Sequence, residues 1–260
     1  MIIGVTCGGT GSVYKINKAY TNYVKEAGMI PVVLTPGTDA MVMATICDGL
    51  LLTGGIDLEP TFYGEDNVGS SNVDIERDDF ERQLLHAFVM QKKKVFGICR
   101  GFQLIVRTLL TEIETKDLVF YQHINNHALA TARSIPRNIP SHSIYANHKI
   151  LYGKGGFHER MFVNSMHHQA LLAEQSSSSV DYVNPYGDKL TVCAYTKFGI
   201  NTQQAGQLVV EAVVASFKGC LLKGVQWHPE ELKDVKLLQY FFNEENISEG
   251  EQKHSLANGS

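Results

Sequence analysis

Phe96-Gly97-Ile98-Cys99-Arg100-Gly101-Phe102-Gln103 is the stretch on which the reading of this chain turns. An apolar run of strand length, Val95 to Ile98, leads into Cys99, and Phe102, Ile105, Leu109 and Ile113 then recur at helical spacing. Cys99 therefore stands at a predicted strand-to-helix junction, inside a Gly-x-Cys-x-Gly core that is the cysteine counterpart of a nucleophile elbow. The flanking glycines permit a tight turn and a close approach of neighbouring chain. The turn lifts the side chain above the sheet, where a helix N-terminus favours the thiolate. A thiolate so placed attacks carbonyl carbon. Without such a context a cysteine packs as a small hydrophobe. That is the reading for Cys7, Cys47, Cys193 and Cys220, of which Cys7 is nearest to the site because Cys7-Gly8-Gly9 follows the first strand.

Outward from this stretch, Ile2 to Val5, Pro31 to Leu34 and Gly49 to Leu52 read as further buried strands. Helical stripes run through Ile16, Tyr20, Tyr23 and Val24, and through Phe80, Leu84, Leu85, Phe88 and Val89. The second stripe ends at Lys92-Lys93-Lys94, which reads as a solvated helix end. Continuous apolar strands alternating with amphipathic helices imply a parallel sheet covered on both faces. The second half differs: Leu190 to Tyr195, Leu208 to Phe217 and Cys220 to Trp227 read as strands with little helix between them. Leu232, Val235, Leu238 and Phe241 mark a closing helix, Ser176 to Ser179 a surface loop, and residues 244–260 a polar, disordered tail. With 44% hydrophobic content, residues 1–243 suffice for one α/β domain around one core.

A net charge of -4, with Lys92-Lys93-Lys94 as the one short basic run, shows no nucleic-acid footprint. No apolar run reaches membrane-spanning length. The N-terminus is apolar but too short for a signal peptide and lacks its basic region. Five cysteines, odd in number, widely spaced and without a CxxC pair, argue against a disulfide framework and against structural zinc. These features predict a cytoplasmic protein with no cofactor and no metal.

A thiolate mechanism requires a general base. Gly224-Val225-Gln226-Trp227-His228-Pro229-Glu230 supplies one at the end of a predicted strand: His228 as base, with Glu230 two residues on to orient its ring. His167 and His168 are the rivals. Adjacent histidines point to opposite faces of a strand, or about 100° apart on a helix, so they do not suit a shared ion. Leu51-Leu52-Thr53-Gly54-Gly55-Ile56-Asp57 ends a strand in paired glycines, which can aim a backbone N–H at a developing oxyanion; the N–H of Arg100 is the second candidate donor.

Taken in order, these segments resemble the class I glutamine amidotransferase-like family, and most closely its gamma-glutamyl-gamma-aminobutyrate hydrolase branch. The likeness runs from about Ile2 to Phe242. It is carried by Leu52 to Pro60 with Tyr63-Gly64-Glu65, by Arg77-Asp78 before a helix, by Gly97 to Gln103, by Asn164-Ser165-Met166-His167-His168-Gln169, and by Gly224 to Glu230. The resemblance implies a flavodoxin-like three-layer sandwich with a central, mostly parallel sheet and a smaller antiparallel extension. It also implies a Cys99–His228–Glu230 triad, oxyanion donors at Gly55 and Arg100, and an acyl pocket involving Gln103, Ser165 and His167. The implied reaction is hydrolysis of a gamma-glutamyl amide through a Cys99 thioester. The alternative is a glutaminase subunit supplying ammonia to a separate synthetase, and a third reading is an idle member used for binding. The partners expected are a small gamma-glutamyl substrate and at most a second copy in a homodimer, with no nucleic acid and no membrane. Two departures leave the leaving amine open: Arg107 to Ile113 stands where the family carries a Gly-Gly turn, and Asp117 to Pro140 diverges apart from Gln122-His123.

Overall fold

The computed structural model describes residues 1–9, 12–113, 115–124, 136–174, 181–197 and 207–243. The serine run Ser176 to Ser179 and the tail 244–260 lie outside the described residues. The first half follows the alternation in the sequence: β1 (Ile2–Thr6), α1 (Lys18–Glu26), β2 (Ile30–Leu34), α2 (Ala40–Ile46), β3 (Gly49–Leu52), α3 (Ile75–Met90), β4 (Val95–Ile98) and α4 (Arg100–Leu110). Every residue of β3 and β4 is buried, as continuous apolar strands between two helix layers require. Side-chain caps set the helix starts. The carboxylates of Asp39 and Asp74 accept the N–H groups of Val42 and Arg77 to open α2 and α3. Asn17 accepts from Ala19 N to open α1, which leaves Ile16 outside the helix, packed against the core by its side chain.

Arg77 and Asp78, expected just before a helix, stand in the first turns of α3. In the lysine run Lys92 is exposed, as a solvated helix end requires, but Lys93 and Lys94 are not free in solvent. Lys93 Nζ donates to the carbonyls of Cys47 (2.7 Å) and Thr45 (3.1 Å), and Lys94 Nζ to that of Phe241 (3.0 Å). The last carbonyls of a helix lack intrahelical partners, and these two ammonium groups meet that need.

The second half holds more short elements than its sequence suggests: β5 (Leu118–Tyr121), β6 (His142–Ala146), α5 (His148–Tyr152), β7 (Glu159–Val163), β8 (Ala170–Ala173), β9 (Asp181–Val183), β10 (Lys189–Lys197), β11 (Leu208–Phe217), β12 (Cys220–Val225), α6 (Pro229–Leu232) and α7 (Val235–Asn243). The closing helix is split, because Lys233 adopts a left-handed conformation (φ 56°) and ends α6.

All strands join one twelve-stranded sheet of order β2-β1-β3-β4-β12-β11-β10-β6-β7, with β8 bridging β11 to β5 and β9 attached to β10. The run β2 to β12 is parallel, and β12 is antiparallel to β11. The antiparallel part takes up the remaining strands. One apolar core, with Leu84, Phe88, Phe102 and Leu109, lies under α3 and α4. The other, with Tyr23, Val24, Trp227 and Phe241, lies under α1 and α7. No helix among the described residues is long and apolar enough to cross a membrane. Register decides where the chemistry falls: Gly97 pairs with Leu52 on one side and with Gly224 on the other, so the carboxyl ends of β3, β4 and β12 lie side by side.

Candidate active site

Cys99 follows β4 and precedes α4 with φ 52° and ψ -102°, a conformation strained for a residue with a side chain. The glycines around it make that turn possible by close approach. A Cβ on Gly101 would lie 2.2 Å from the Leu52 carbonyl oxygen, and one on Gly97 would lie 2.5 Å from the Gly101 backbone. Backbone bonds hold the turn: Cys99 N donates to Val225 O (2.8 Å), and Cys99 O accepts from Gln103 N (3.0 Å). The sulfur takes no part in capping α4.

His228 comes from the end of the neighbouring strand, beside Cys99. Pro229 opens α6, and the first turn of that helix brings Glu230 Oε1 to 2.7 Å from His228 Nδ1. Burial of the ring works against its charged form. The Glu230 carboxylate and the charge and hydrogen bond of Cys99 outweigh it and push the His228 pKa up to about 10. The imidazolium is therefore the favoured state of this ring. Asn164 fixes its backbone, accepting from His228 N (2.9 Å) and donating to His228 O (3.2 Å). Tyr20 completes the surround. Its hydroxyl lies 3.4 Å from His228 Nδ1 and accepts the Gly54 N–H at 3.0 Å. Burial, with the Glu230 charge second, holds its phenol proton well above the usual range.

The paired glycines at the end of β3 face Cys99: a Cβ on Gly54 would lie 3.5 Å from Cys99 Cβ and 2.8 Å from His228 Cε1. Arg100 offers the site only its backbone. Its side chain turns under the helix and pairs with Asp78 and Glu81 of α3, all three being buried. Arg77 Nε also donates to Glu81, at 2.8 Å. The charges of Arg100 and Arg77 overcome the burial of Glu81 and hold its carboxyl below the usual range, whereas burial raises Asp78 despite Arg100.

Two cavities meet at Cys99. One, of about 200 Å³, is lined by Gly55, Asp57, Gln103, His167, His168 and Gln169 among others. The second, of about 580 Å³, lies on the His228 side and is lined by Tyr20, Gly54, Gly55, Arg77 and Arg137 among others. Gln103 Nε2 is tethered to Gln226 Oε1 (3.3 Å), and His167 Nδ1 lies 2.8 Å from Gln169 O. Ser165 is fully buried and lines neither cavity. His168 instead closes the smaller cavity, its Nε2 2.9 Å from Asp57 Oδ2 and its Nδ1 3.1 Å from His123 Nδ1; the bond to Asp57 raises its pKa. Cys7 belongs to packing, with its thiol on Leu34 O (3.3 Å).

Cys99, His228, Glu230, Gly55, Arg100, Gln103 and His167 thus converge, and Ser165 stands apart. Tyr20, the clamp by Asn164, and the charges on α3 were not singled out for any role in positioning the site. Arg77 and Glu81 carried one signal, an i, i+4 spacing, which ordinarily marks a solvated pair.

The Peptidase C26 family pattern matches residues 3–230. The chain belongs to that family. Its members are class I glutamine amidotransferase-like, and the chemistry at this level is that of a cysteine hydrolase. The glutamine amidotransferase-like protein YvdE of Lactococcus lactis is 29% identical over 76% of this chain and 75% of its own length. The gamma-glutamyl-gamma-aminobutyrate hydrolase of Escherichia coli O157:H7 is 26% identical over 83% of this chain and 78% of its own. Among solved structures, the glutaminase domain of Trypanosoma brucei CTPS with bound acivicin superimposes with a TM-score of 0.55 at 14% identity, covering 93% of this chain and 92% of that one, a likeness of fold. The Peptidase C26 sheet, mixed in direction and flanked by helices, is the class I glutamine amidotransferase-like fold.

Proposed function

We propose that this chain hydrolyses the amide bond of a gamma-glutamyl group through a Cys99 thioester. The observation that carries the reading is the meeting of two cavities at one cysteine. An acyl-transfer enzyme must hold the acyl group on one side of its nucleophile and the leaving amine on the side of its acid. The smaller cavity, with Gln103 and His167, receives the gamma-glutamyl group. The larger, on the His228 side, receives an amine bigger than ammonia. Cys99 Sγ attacks the amide carbon while the N–H groups of Gly55 and Arg100 hold the oxyanion. His228 gives its proton to the departing nitrogen as the C–N bond breaks. It then takes a proton from the water that cleaves the thioester, releasing glutamate and free Cys99. Glu230 holds the ring in place throughout.

A second reading, glutaminase activity that supplies ammonia to a separate synthetase, is supported by the names of several relatives, which are those of glutamine amidotransferase-like proteins. Turnover of glutamine and of a panel of gamma-glutamyl amines by the wild type and Cys99→Ala separates the two, with mass spectrometry for a glutamyl adduct on Cys99. Faster release of larger amines than of ammonia supports the first reading. Glutamine turnover alone supports the second, and full activity of the alanine variant overturns both.

A further inference from the structure

The Gly54–Gly55 peptide is the part of the site with the least covalent reason to stay still, since two glycines restrict rotation less than any other pair. It is nevertheless held. The peptide before it is fixed by the Gly54 N–H, which donates to Tyr20 Oη at 3.0 Å, and its own carbonyl, that of Gly54, accepts from Arg77 Nη2 at 3.1 Å. The same Nη2 donates to Thr53 O (3.1 Å) and Thr53 Oγ1 (3.0 Å), so one guanidinium nitrogen spans the end of β3 and the turn beyond it. Arg77 is only 4% exposed, and its Nε is fixed on Glu81 at 2.8 Å.

Because the peptide is trans, its C=O and N–H point to opposite sides of the chain. A carbonyl held on Arg77 therefore turns the Gly55 N–H away from Arg77. Among the described residues no backbone acceptor meets that N–H, and Gly55 lines both cavities at Cys99. A Cβ on Gly55 would lie 2.2 Å from Arg77 Nη1, so the arginine also packs directly beneath the turn.

We infer that Arg77 is a positioning residue that holds the Gly54–Gly55 peptide with its Gly55 N–H turned into the oxyanion site, an inference that rests on the proposed acyl-transfer reading. Glu81 braces both halves of that site. One carboxylate oxygen holds Arg77, and the other pairs with the side chain of Arg100, whose own N–H is the second donor. Arg77 touches no reacting atom; it spares the enzyme a peptide reorientation at each turnover. Lysine does not reproduce this, since a point cation lacks the planar fork that reaches Glu81, Thr53 and Gly54 together.

The test compares Arg77→Gln with the wild type in two reactions. Alkylation of Cys99 by iodoacetamide needs the thiolate but no oxyanion donor, whereas amide hydrolysis needs both. The variant is expected to lose roughly 10²–10³ in kcat, the effect of one oxyanion donor. KM and the alkylation rate should be retained. Equal loss in both reactions, or no loss in hydrolysis, overturns the inference. Arg77→Lys, which keeps a cation beside Glu81, takes the place of Arg77→Gln if the latter fails to fold. A crystal structure of the folded variant reads the peptide without any substrate: a rotated Gly54–Gly55 peptide supports the inference and an unmoved one overturns it. A wild type inert towards every gamma-glutamyl amide would remove the proposed reaction, and the crystal structure would still decide the role of Arg77.

Discussion

Asn164 grips His228 by both backbone polar groups, with Oδ1 on the N–H at 2.9 Å and Nδ2 on the carbonyl at 3.2 Å. It joins the loop after β7 to the residue that opens α6, and so fixes the height of the imidazole above the sheet. Asn164→Ala removes both bonds and leaves the His228 N–H without its partner, worth about 1–3 kcal/mol, while the His228 carbonyl keeps the Glu231 N–H at 3.3 Å. The expected outcome is a lowered Tm together with a kcat reduced by up to roughly 10², since misplacement of a catalytic group by about 1 Å has effects of that order. Asn164→Asp, which keeps the acceptor for His228 N, should lose less stability in the same melting experiment.

The charge on Cys99 is one of the causes that raise the pKa of His228. Cys99→Ala should therefore lower it from about 10, read as a shift of the imidazole titration by NMR. The sign for stability follows from a folded value above the unfolded ~6.5. The contribution of His228 is complete below that unfolded value and is lost as the pH rises through about 10. Wild-type Tm should thus decline between neutral and strongly alkaline pH, with a smaller decline in Cys99→Ala.

Gly101→Ala tests the elbow. Its new Cβ would meet the Leu52 carbonyl oxygen at 2.2 Å and the Leu52 carbonyl carbon at 2.7 Å, backbone atoms of a buried strand with little room to yield. A loss of roughly 1–3 kcal/mol is expected in denaturant unfolding. Gly28→Ala meets no atom within 4 Å but has φ 82°, so its cost is backbone strain without a clash. The elbow variant should lose activity as well as stability; the Gly28 variant should lose stability alone.

Arg107 stands in the last turn of α4. Its guanidinium lies 3.4 Å from the centre of the Tyr63 ring, and Nη2 lies 2.5 Å from Glu65 Oε1. Arg107→Ala should release the loop between β3 and α3, costing about 1–2 kcal/mol for a stacked cation largely shielded from water. Faster hydrogen exchange at Tyr63 to Gly69 would be the direct readout, and unchanged exchange there would contradict it.

How far the sequence discloses this architecture depends on how local each determinant is. β3 and β4 are unbroken apolar runs, and α3 and α4 carry clear stripes, so their types can be read within a few residues. α2 cannot be read in this way: Ala40 to Ile46 is apolar on nearly every face, and Met41, Val42 and Ile46 remain exposed. β6 and β7 mix polar and apolar residues near one edge of the sheet, so neither periodicity dominates. At the site, Cys99 and His228 announce themselves through flanking glycines and a proline. Tyr20 does not, because its contacts with Gly54 and His228 join distant parts of the chain and its own neighbourhood reads as an ordinary helix stripe. Arg77 and Glu81 mislead for the opposite reason: their spacing suits a water-facing pair, and only the packing of α3 against β3 and β4 places them in the interior.

Strand β12 lies between β4 and β11, yet among the described residues it is the last strand in chain order. A polypeptide emerging from the ribosome therefore exposes Cys99 long before its partner histidine exists. Only when β12 slots in beside β4 does the sulfur acquire His228 and Glu230. The order of synthesis thus delays the meeting of Cys99 with its two partners until the central sheet has closed.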